Sequence, residues 1–498
     1  MENRNNYKFI ARIKVESLTP LFVGSGNDSL LKDAIVQKDF RGLPVIPGTA
    51  LAGVLRHSFL DLYKKSDLVK YSQKEQDRYF NLLDLFGAQF RERSSEEKSE
   101  KELFTLWYKK RNKVCTSKIP DGLGSRLKVS TAYFILQDGK VAEDLTTQVD
   151  PNIVARMTNL PLRKHVRISD KGVAKKSALF DNEVVYKGAR FLFEIELTGT
   201  QEDKDIWVDI INSVKSPLFR IGQGTRNGYG RLKVTEVYNK VYDINVNSEF
   251  DEYLNFDPSF NSTLKFEKVD QTSENNCLTY KLSLKPDCFF IFSDGFGDNE
   301  VENKPLKEEV IKYNNGNITF DEHTVIPAAS IKGAISHRVA FHYNKLKKCY
   351  ADKTSDLSEC IEDNNRAVKL LFGYKSDSKS KGDSGSRGVI VMDDLFYDNI
   401  DNEKIFNHVA IDRFTGGAIN GALFSEKVSS SDKIEFLIYI THNDIEKDIL
   451  QAFEEALKDI CKGLLPLGGM TTKGHGMFTG ELWKNDESIF AYKIDKLS

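Results

Sequence analysis

Two stretches of this chain read almost alike, although about 280 residues separate them. Residues 45–57 read VIPGTALAGVLRH, and residues 325–337 read VIPAASIKGAISH. A repeat this long predicts that each copy belongs to a larger unit with its own copy of the same local structure. The other parts of each unit should then recur in the same order.

Further matched blocks do follow in the same order along the chain. They are FIARIKVES (9–17) with CLTYKLSLK (277–285), HVRISDKGVAKKSALF (165–180) with HVAIDRFTGGAINGALF (408–424), and IGQGTRNGYGRLKV (221–234) with LGGMTTKGHGMFTG (467–480). We interpret the chain as a tandem duplication. The first domain spans residues 1–240, a polar linker spans 241–272, and the second domain spans 273–498.

The repeated blocks mix strand and helix patterns. Residues 9–17 alternate apolar and polar side chains, which is typical of a half-buried strand, and residues 444–461 carry an apolar stripe at helical spacing. This mixture predicts an α+β fold in each unit. The charged segments 91–102 and 374–386 are typical of solvated surface loops.

Bulk composition excludes some classes of protein. The net charge is −2, so any contact with nucleic acid must come from local basic patches. The six cysteines contain no CxxC pair, which indicates reduced thiols rather than a zinc module. No apolar run approaches the roughly 20 residues that a membrane span needs, and residues 1–15 lack a signal-peptide core. We expect a cytoplasmic protein without membrane contact.

The closing Gly-rich loop of each unit is a possible phosphate site. Arg226 lies among Gly222, Gly224, Gly228 and Gly230, and glycines let backbone N–H groups approach a phosphate closely. Tyr229 offers a face for base stacking. The second copy carries Lys473 and His475 in the same loop. The alternative is a tight turn that only lets helix pack on sheet.

The VIP segment predicts a helix start in each unit. Pro47 and Pro327 fix φ before the helix, and Thr49 and Ser330 are suited to cap it. The matched glycines at 53 and 333 indicate close packing. Basic side chains near this end are Arg56, Lys332 and Arg338. The helix start either attracts phosphate or is capped for its own sake.

A basic segment at residues 163–176 is predicted to protrude as an arm. It contains Arg163, Lys164, His165 and Arg167. The second unit has a Gly-rich equivalent with Arg413 and Phe414. The simpler alternative is a solvated charged face.

One acidic position precedes each VIP segment. Asp33 aligns with Glu308 when KDAIVQKD (32–39) is matched to KEEVIKYN (307–314), each acid preceding an apolar pair. A carboxylate beside an RNA backbone can deprotonate a 2′-hydroxyl or hold a metal ion. A turn or strand-end residue is the structural alternative.

Together these motifs resemble the RAMP superfamily of CRISPR-associated proteins, over nearly the whole chain. The nearest likeness is to the family-seven backbone subunit of type III effector complexes, and the tandem pair is similar to the fused double subunits of type III-D systems. The resemblance implies two ferredoxin-like, RRM-like domains, each with a protruding thumb. It also implies partners, namely guide CRISPR RNA, complementary single-stranded target RNA and other type III Cas subunits.

The resemblance further implies metal-dependent cleavage of the paired target RNA, with Mg²⁺ or another divalent ion. Its catalytic aspartate falls on Asp33, with Glu308 as a possible counterpart in the second domain. Gly48, Thr49 and the Gly-rich loop fall on guide-RNA contacts, although Ala328 replaces Gly48 in the second unit. Two other functions stay open within the superfamily: a non-catalytic scaffold or end-capping subunit, and a guide-processing endonuclease. An unrelated nucleotide-binding enzyme is a further alternative.

Overall fold

A computed structural model describes most of the chain. The described residues are 6–27, 32–61, 63, 65–90, 95–112, 121–169, 172–262, 266–268, 277–350, 352, 360, 364–375, 385–397, 402–441 and 445–492. We call residues 6–268 the first unit and residues 277–492 the second unit.

The first unit alternates short and long strands with helices. Its elements are β1 (Tyr7–Ser17), α1 (Gly48–Leu60), α2 (Gln73–Phe86), β2 (Ala88–Gln89), α3 (Ser95–Asn112), β3 (Gly122–Leu123), β4 (Leu127–Val129), β5 (Tyr133–Phe134), α4 (Pro151–Thr158), β6 (Leu162–Ile168), β7 (Ala174–Glu183), β8 (Arg190–Gly199), α5 (Lys204–Lys215), β9 (Leu232–Asp243), α6 (Asn247–Leu254) and β10 (Glu267–Lys268).

The second unit repeats this plan with one added hairpin. Its elements are β11 (Leu278–Pro286), β12 (Lys307–Asn314), β13 (Asn317–Ile326), α7 (Ala328–Leu346), α8 (Arg366–Phe372), β14 (Gly373–Tyr374), β15 (Ser386–Arg387), β16 (Ile390–Met392), β17 (Leu395–Tyr397), β18 (Asn402–Ile411), β19 (Ala418–Ser430), β20 (Ile434–Ile440), α9 (Lys447–Cys461), β21 (Phe478–Lys484) and β22 (Glu487–Ala491).

Both main sheets are antiparallel and have the same strand order. The first sheet runs β9–β1–β8–β4, which places the fourth, first, third and second strands of a βαββαβ unit side by side. The second runs β21–β11–β20–β16, which is the same order. The predicted α+β architecture of two ferredoxin-like domains is therefore confirmed.

The core of the first unit lies between its sheet and helices α1 and α5. The alternation in β1 puts Phe9, Ala11, Ile13 and Val15 on the buried face, where none of them is exposed. Trp207 of α5 packs against Phe9 with ring centroids 5.6 Å apart. Alternating strand residues and a helix stripe thus build one apolar layer.

The opposite face of the first sheet is closed by ion pairs and by the segment between the units. Lys8 pairs with Glu196 at 2.9 Å on this face. Arg12 is fully buried and donates to the carbonyl oxygens of Asp257, Pro258 and Ser259. The described part of the predicted linker therefore packs on the first unit, where α6 and β10 also lie.

The second unit has an equivalent core built on α7 and α9. The stripe predicted within residues 444–461 is buried, with Ile449, Phe453, Leu457 and Ile460 all unexposed. Helix α9 packs on α7 and on strands β11 and β21. The stripe therefore forms the helix layer of the second fold.

The charged segment 91–102 is not a loop over its described part. Helix α3 begins at Ser95, and its Glu100 is 5% exposed and accepts a hydrogen bond from the Tyr79 hydroxyl at 2.5 Å. The loop prediction was wrong because the apolar residues Phe104 and Trp107, farther along α3, anchor the helix in a local core with α2. Residues 376–384 of the other charged segment lie outside the described residues.

Two details of the VIP prediction are also corrected. Helices α1 and α7 begin directly after Pro47 and Pro327, but no side chain caps either of them. A Cβ added at Gly53 or Gly333 would meet nothing within 4 Å, so these glycines do not mark close packing. The close approach lies at Gly48, where a Cβ would meet the Val129 carbonyl oxygen at 2.2 Å.

Candidate functional site

The two predicted arms are antiparallel hairpins at equivalent places in the units. We call β6–β7 (162–183) thumb 1 and β18–β19 (402–430) thumb 2. Both present apolar side chains to solvent, including Leu179 at 67% exposure and Leu423 at 68%. Phe414 at the tip of thumb 2 is 96% exposed. Exposed apolar residues on both hairpins indicate surfaces that meet a partner.

Asp33 lies at the base of thumb 1. Its Oδ2 accepts a hydrogen bond from the backbone N–H of Asp181 at 3.0 Å, and its own N–H donates to Asp181 Oδ1 at 3.0 Å. The Asp33 side chain is exposed. This reciprocal pair ties the loop that carries Asp33 to strand β7, and it brings two carboxylates together at the surface.

A buried carboxylate holds two cations in the same loop. Glu183 is unexposed and accepts from Lys38 at 2.8 Å, Lys32 at 3.0 Å and the Val36 N–H at 2.9 Å. Burial alone would raise its pKa, but the hydrogen bonds from Lys38 and Lys32 outweigh burial and lower the pKa of Glu183. The anion therefore holds two ammonium groups in the Asp33 loop.

Glu308 does not lie at such a position. It is on β12, where it receives two hydrogen bonds from Arg163 of thumb 1, at 2.6 Å and 2.5 Å. Arg163 also pairs with Asp394, and it is only 3% exposed. Glu308 is thus a structural residue between the units, which corrects its assignment as the counterpart of Asp33.

The same surface between the units holds further ion pairs, and we call it the junction. Asp393 forms ion pairs with both Arg220 and Arg231 of the first unit. Arg156 Nη1 lies 2.7 Å from Glu309 Oε2 and pairs with it. Buried cations that are matched by carboxylates make this contact selective, because either partner alone would be costly to bury.

Tyr229 is packed inside the junction rather than offered to a base. It is 1% exposed, and its hydroxyl lies 2.6 Å from His165 Nε2. Burial and the nearby Arg163 charge lower the pKa of His165 to about 4, so His165 is neutral near pH 7. Neither Tyr229 nor Arg163 presents a surface to RNA in this structure.

The second unit uses different residues at the equivalent loop. His475 is 8% exposed and lies 2.9 Å from Glu426 Oε1, which also contacts His408 at 2.8 Å. Lys473 is exposed, with its ammonium 4.2 Å from the Phe424 ring centroid. His475 therefore fixes thumb 2 to the sheet, and Lys473 remains at the surface.

Three basic side chains converge at the edge of the junction. We call Arg226, Lys332 and Arg387 the junction cations. Arg226 Nε donates to the Gly388 carbonyl oxygen, and Lys332 Nζ donates to Asn227 Oδ1 at 3.1 Å. Arg387 is exposed. These first two bonds go to neutral oxygens, so they do not cancel the charge.

Arg226 is repelled by Arg387, and Lys332 is repelled by Arg226. Burial, together with the charges of Arg387 and Arg220, lowers the pKa of Arg226 to about 10, although Asp61 acts in the opposite direction. Burial and the Arg226 charge lower the pKa of Lys332 to about 8. An anion placed among these groups would relieve this repulsion.

A model of the RAMP superfamily matches residues 14–233 and 296–479, which together make up more than half of the chain. The chain belongs to the RAMP superfamily. Membership supports a CRISPR-associated, RNA-binding role. No curated protein gave a significant match to the chain.

Packing within the first RAMP unit explains why its closing loop contains glycine. Gly222 and Gly224 have φ of +90° and +69°. A Cβ at Gly222 would lie 2.2 Å from the Phe22 carbonyl oxygen, and one at Gly224 would lie 2.4 Å from the Tyr229 ring. The turn and the close approach require glycine here, whether or not a ligand binds the loop.

The remaining predicted residues of the two RAMP units are spread over several surfaces. Arg167 and Arg413 are exposed on the thumbs, and Arg56 is half-buried on α1. Lys164 lies over the Phe296 ring of the second unit at 3.4 Å. Thr49 follows the start of α1 without capping it. Sequence analysis missed Asp181, Glu183, Asp393 and Asp394, because their partners lie far away along the chain.

Among the described residues of this RAMP protein, no helix is long and apolar enough to cross a membrane. The same residues contain no group of three or more His, Cys, Asp or Glu side chains placed to hold a metal ion. A metal at Asp33 would therefore have at most the Asp33 and Asp181 carboxylates as acidic ligands from the described residues.

Proposed function

We propose that this chain is a double backbone subunit of a type III CRISPR interference complex in the cytoplasm. It grips guide RNA through both units, and its first unit cuts complementary target RNA. Other type III Cas subunits and the two RNAs are its partners. The observation that carries the RNA-binding part is the set of junction cations, three basic groups whose mutual repulsion a phosphate would relieve.

The geometry supports a path for guide RNA across the junction. Arg226 comes from the Gly-rich loop of the first unit, and Lys332 comes from helix α7 of the second. One phosphate group near both would connect the two units through the RNA backbone. Contacts of this kind position RNA without reading its sequence, as a subunit that accepts many guides requires.

The thumbs support contact with the guide–target duplex. Phe414 is 96% exposed and follows Arg413 in a turn that Asp412 stabilises by accepting from the N–H groups of Phe414 and Thr415, at 3.0 Å and 2.7 Å. An aromatic ring held at the tip of a hairpin can stack on a base or separate two of them. The thumb tip is therefore the surface that would meet paired RNA.

The proposed chemistry is intramolecular attack in the target strand. The 2′-oxygen bonds to the adjacent phosphorus while the bond from phosphorus to the 5′-oxygen breaks. Asp33 takes the proton of the 2′-hydroxyl, and the leaving 5′-oxygen takes a proton from solvent. The products are a 2′,3′-cyclic phosphate and a 5′-hydroxyl. Asp33 Oδ1, which makes no hydrogen bond to the described residues, is the accepting atom.

The residues fit a divalent ion that is shared with the substrate. Magnesium is commonly held by one or two carboxylates together with substrate phosphates, and Asp33 and Asp181 supply two carboxylates at the surface. When bound, the ion would neutralise charge that builds up on the attacked phosphate. Lys32 and Lys38, both held by Glu183, add positive potential in the same loop.

The test is cleavage of an end-labelled complementary RNA by the assembled complex. Wild type is compared with Asp33→Asn at equal guide loading, with Mg²⁺ and without. We expect a set of Mg²⁺-dependent cuts to slow by about 100-fold or more, the range for loss of a general base. Asp138→Asn, an exposed loop aspartate, is the matched control.

If every cut persists in Asp33→Asn while guide loading is unchanged, Asp33 is structural. The first unit is then a non-catalytic RAMP scaffold, and the cuts come from elsewhere in the complex. If guide RNA is not bound at all by the wild-type complex, the RNA-binding part of the proposal is wrong as well.

A further inference from the structure

The loop that carries Asp33 has a structural equivalent in the second unit, which differs from the one that the sequence suggests. In the first unit, Leu21 bridges Val185 and Gly24 bridges Val36. In the second unit, Phe290 bridges Ser429 and Ser293 bridges Pro305. Residues 21, 24 and 36 each have a counterpart 269 positions later.

Backbone hydrogen bonds extend this equivalence through the loop. Gln37 N–H donates to the Val23 carbonyl oxygen at 2.8 Å, and Leu306 N–H donates to that of Phe292 at 2.7 Å. Both bonds obey the same offset of 269 residues. The described parts of the two loops therefore make equivalent backbone hydrogen bonds, up to residue 37 in the first unit and residue 306 in the second.

The thumbs contact these loops in the same way. Glu183 N–H donates to the Ala34 carbonyl oxygen at 3.0 Å, and Lys427 N–H donates to that of Asn303 at 2.9 Å. Ala34 therefore corresponds to Asn303. The residue before it, Asp33, corresponds to Glu302.

The carboxylates of this pair make the same bond. Asp33 Oδ2 accepts from the N–H of Asp181, two residues before Glu183. Glu302 Oε2 accepts from the N–H of Ser425, two residues before Lys427, at 2.6 Å, and also from the Ser425 hydroxyl. Two acidic side chains thus dock on equivalent backbone groups at the bases of the two thumbs.

Sequence matching missed this pair because the second unit has a longer segment before its VIP motif. Strands β12 and β13 span 307–326, whereas the first unit covers the same step with residues 38–46. The sequence match set KDAIVQKD (32–39) against KEEVIKYN (307–314), which belongs to this inserted hairpin, and so paired Asp33 with Glu308. The 269-residue offset of the bridged pairs leads to Glu302.

The surroundings of Glu302 keep its carboxylate ionised. Its side chain is exposed. The hydroxyl and then the N–H of Ser425 lower the pKa of Glu302 by hydrogen bonding to its charged form. Lys427 supplies a nearby cation and is held by Glu300 at 3.2 Å, which parallels the cations that Glu183 holds beside Asp33.

We propose that Glu302 is the active-site carboxylate of a second cleavage site, so that this chain cuts guide-paired RNA at the bases of both thumbs. The inference rests on the proposed function of Asp33. At the second site the Glu302 carboxylate takes the 2′-hydroxyl proton, the 2′-oxygen bonds to phosphorus, and the 5′-oxygen leaves and takes a proton from solvent. The products again end in a 2′,3′-cyclic phosphate and a 5′-hydroxyl.

The test maps cuts by the assembled wild-type complex and by Asp33→Asn, Glu302→Gln and the double variant, on one end-labelled complementary RNA. Guide retention is measured first in each. Glu487→Gln is the matched control, because Glu487 is an exposed glutamate on strand β22, outside the proposed site. Glu302→Asp tests rescue by the shorter carboxylate.

We expect two separate groups of cuts in wild type. Glu302→Gln should slow one group by about 100-fold or more and leave the other within twofold, and Asp33→Asn should do the reverse. Glu302→Asp should retain part of the affected group, and its product should keep the 2′,3′-cyclic end.

Two results would overturn this inference while leaving the proposed function intact. One is a wild-type pattern with a single group of cuts that only Asp33→Asn removes. The other is a second group that Glu302→Gln does not slow. Absence of all cuts in a wild-type complex that retains guide would instead contradict the catalytic part of the proposed function.

Discussion

Arg163 Nε donates to Glu308 Oε1 at 2.6 Å across the junction between the two units. The guanidinium also pairs with Asp394 and lies over the Tyr229 ring at 5.0 Å. Burial opposes its charge, but Asp394 and Glu308 outweigh burial and raise the pKa of Arg163 well above its ordinary value. One residue of thumb 1 thus holds two carboxylates of the second unit.

Replacing Arg163 with Ala should destabilise the protein strongly. The substitution leaves the Glu308 and Asp394 carboxylates buried without a cation, at a cost of about 3–5 kcal/mol. The shift in the midpoint of urea denaturation measures this loss. Arg167→Ala, at an exposed position of the same strand, should change the free energy of unfolding by no more than about 0.5 kcal/mol. Equal effects of both substitutions would contradict the assignment of Arg163 to the junction.

The two glycines of helix α1 should respond in opposite directions to the same change. A Cβ at Gly48 would meet the Val129 carbonyl oxygen at 2.2 Å, so Gly48→Ala should destabilise by about 1–3 kcal/mol. A Cβ at Gly53 meets nothing within 4 Å, so Gly53→Ala should stabilise the helix by about 0.5–1 kcal/mol. Thermal unfolding of both variants measures the difference. A stable Gly48→Ala variant would show that the close approach is not rigid.

Removing the ring at the tip of thumb 2 should affect RNA but not stability. Phe414 is 96% exposed, so Phe414→Ala should leave the unfolding midpoint unchanged. Loss of base stacking should weaken binding of complementary target RNA to the guide-loaded complex by about 1–3 kcal/mol. Phe40 is 98% exposed and lies outside both thumbs, so Phe40→Ala is the control. Unchanged target affinity in Phe414→Ala would remove the thumb tip from the RNA interface.

The affinity for RNA should fall as pH rises through about 8. Lys332 has a pKa of about 8 in the free protein, and a bound phosphate raises it, so binding takes up a proton above that pH. The affinity is full below pH 8 and decreases above it, by at most about tenfold per pH unit for one proton. Lys332→Arg keeps its charge and should give a flatter profile between pH 7 and 9.5. Parallel profiles for the two proteins would exclude Lys332 from the phosphate contact.

Local patterns were enough to predict the architecture. The period-two alternation of residues 9–17 predicts one buried face of a strand, and the apolar stripe of residues 444–461 predicts one buried face of a helix. Both faces are buried in the structure. The thumbs followed from basic or Gly-rich segments placed between structured blocks. Each of these patterns lies within one strand, helix or hairpin, so contacts with distant residues did not change the predicted element.

The residues of the site were harder to predict because their partners lie far away in sequence. Arg163 reads as a surface cation until Asp394, 231 residues later, is brought against it. Glu302 was missed because an apolar pair in the added β12–β13 hairpin, Val310-Ile311, matches the pair Ile35-Val36 that follows Asp33. Helix α3 was read as a loop because its charged first turns conceal the anchors Phe104 and Trp107. In each case the role of the residue depends on a contact with a distant part of the chain, which the local composition does not show.

The most direct test of this account is the affinity of the protein for a fluorescently labelled single-stranded RNA, measured by anisotropy over a range of salt concentrations. The central claim is that RNA phosphates bind the junction cations. We expect the Arg226→Gln/Lys332→Gln double variant to bind at least about tenfold more weakly than wild type. Its plot of log affinity against log salt should be shallower by about 1.4, since each phosphate contact contributes roughly 0.7 in single strands.

The control removes two other exposed cations, Lys281 and Lys433, which both pair with Glu435 on the second sheet. The Lys281→Gln/Lys433→Gln variant should keep the wild-type affinity and salt slope. If the junction variant matches wild type in both quantities, RNA does not bind at the junction and the central claim is wrong.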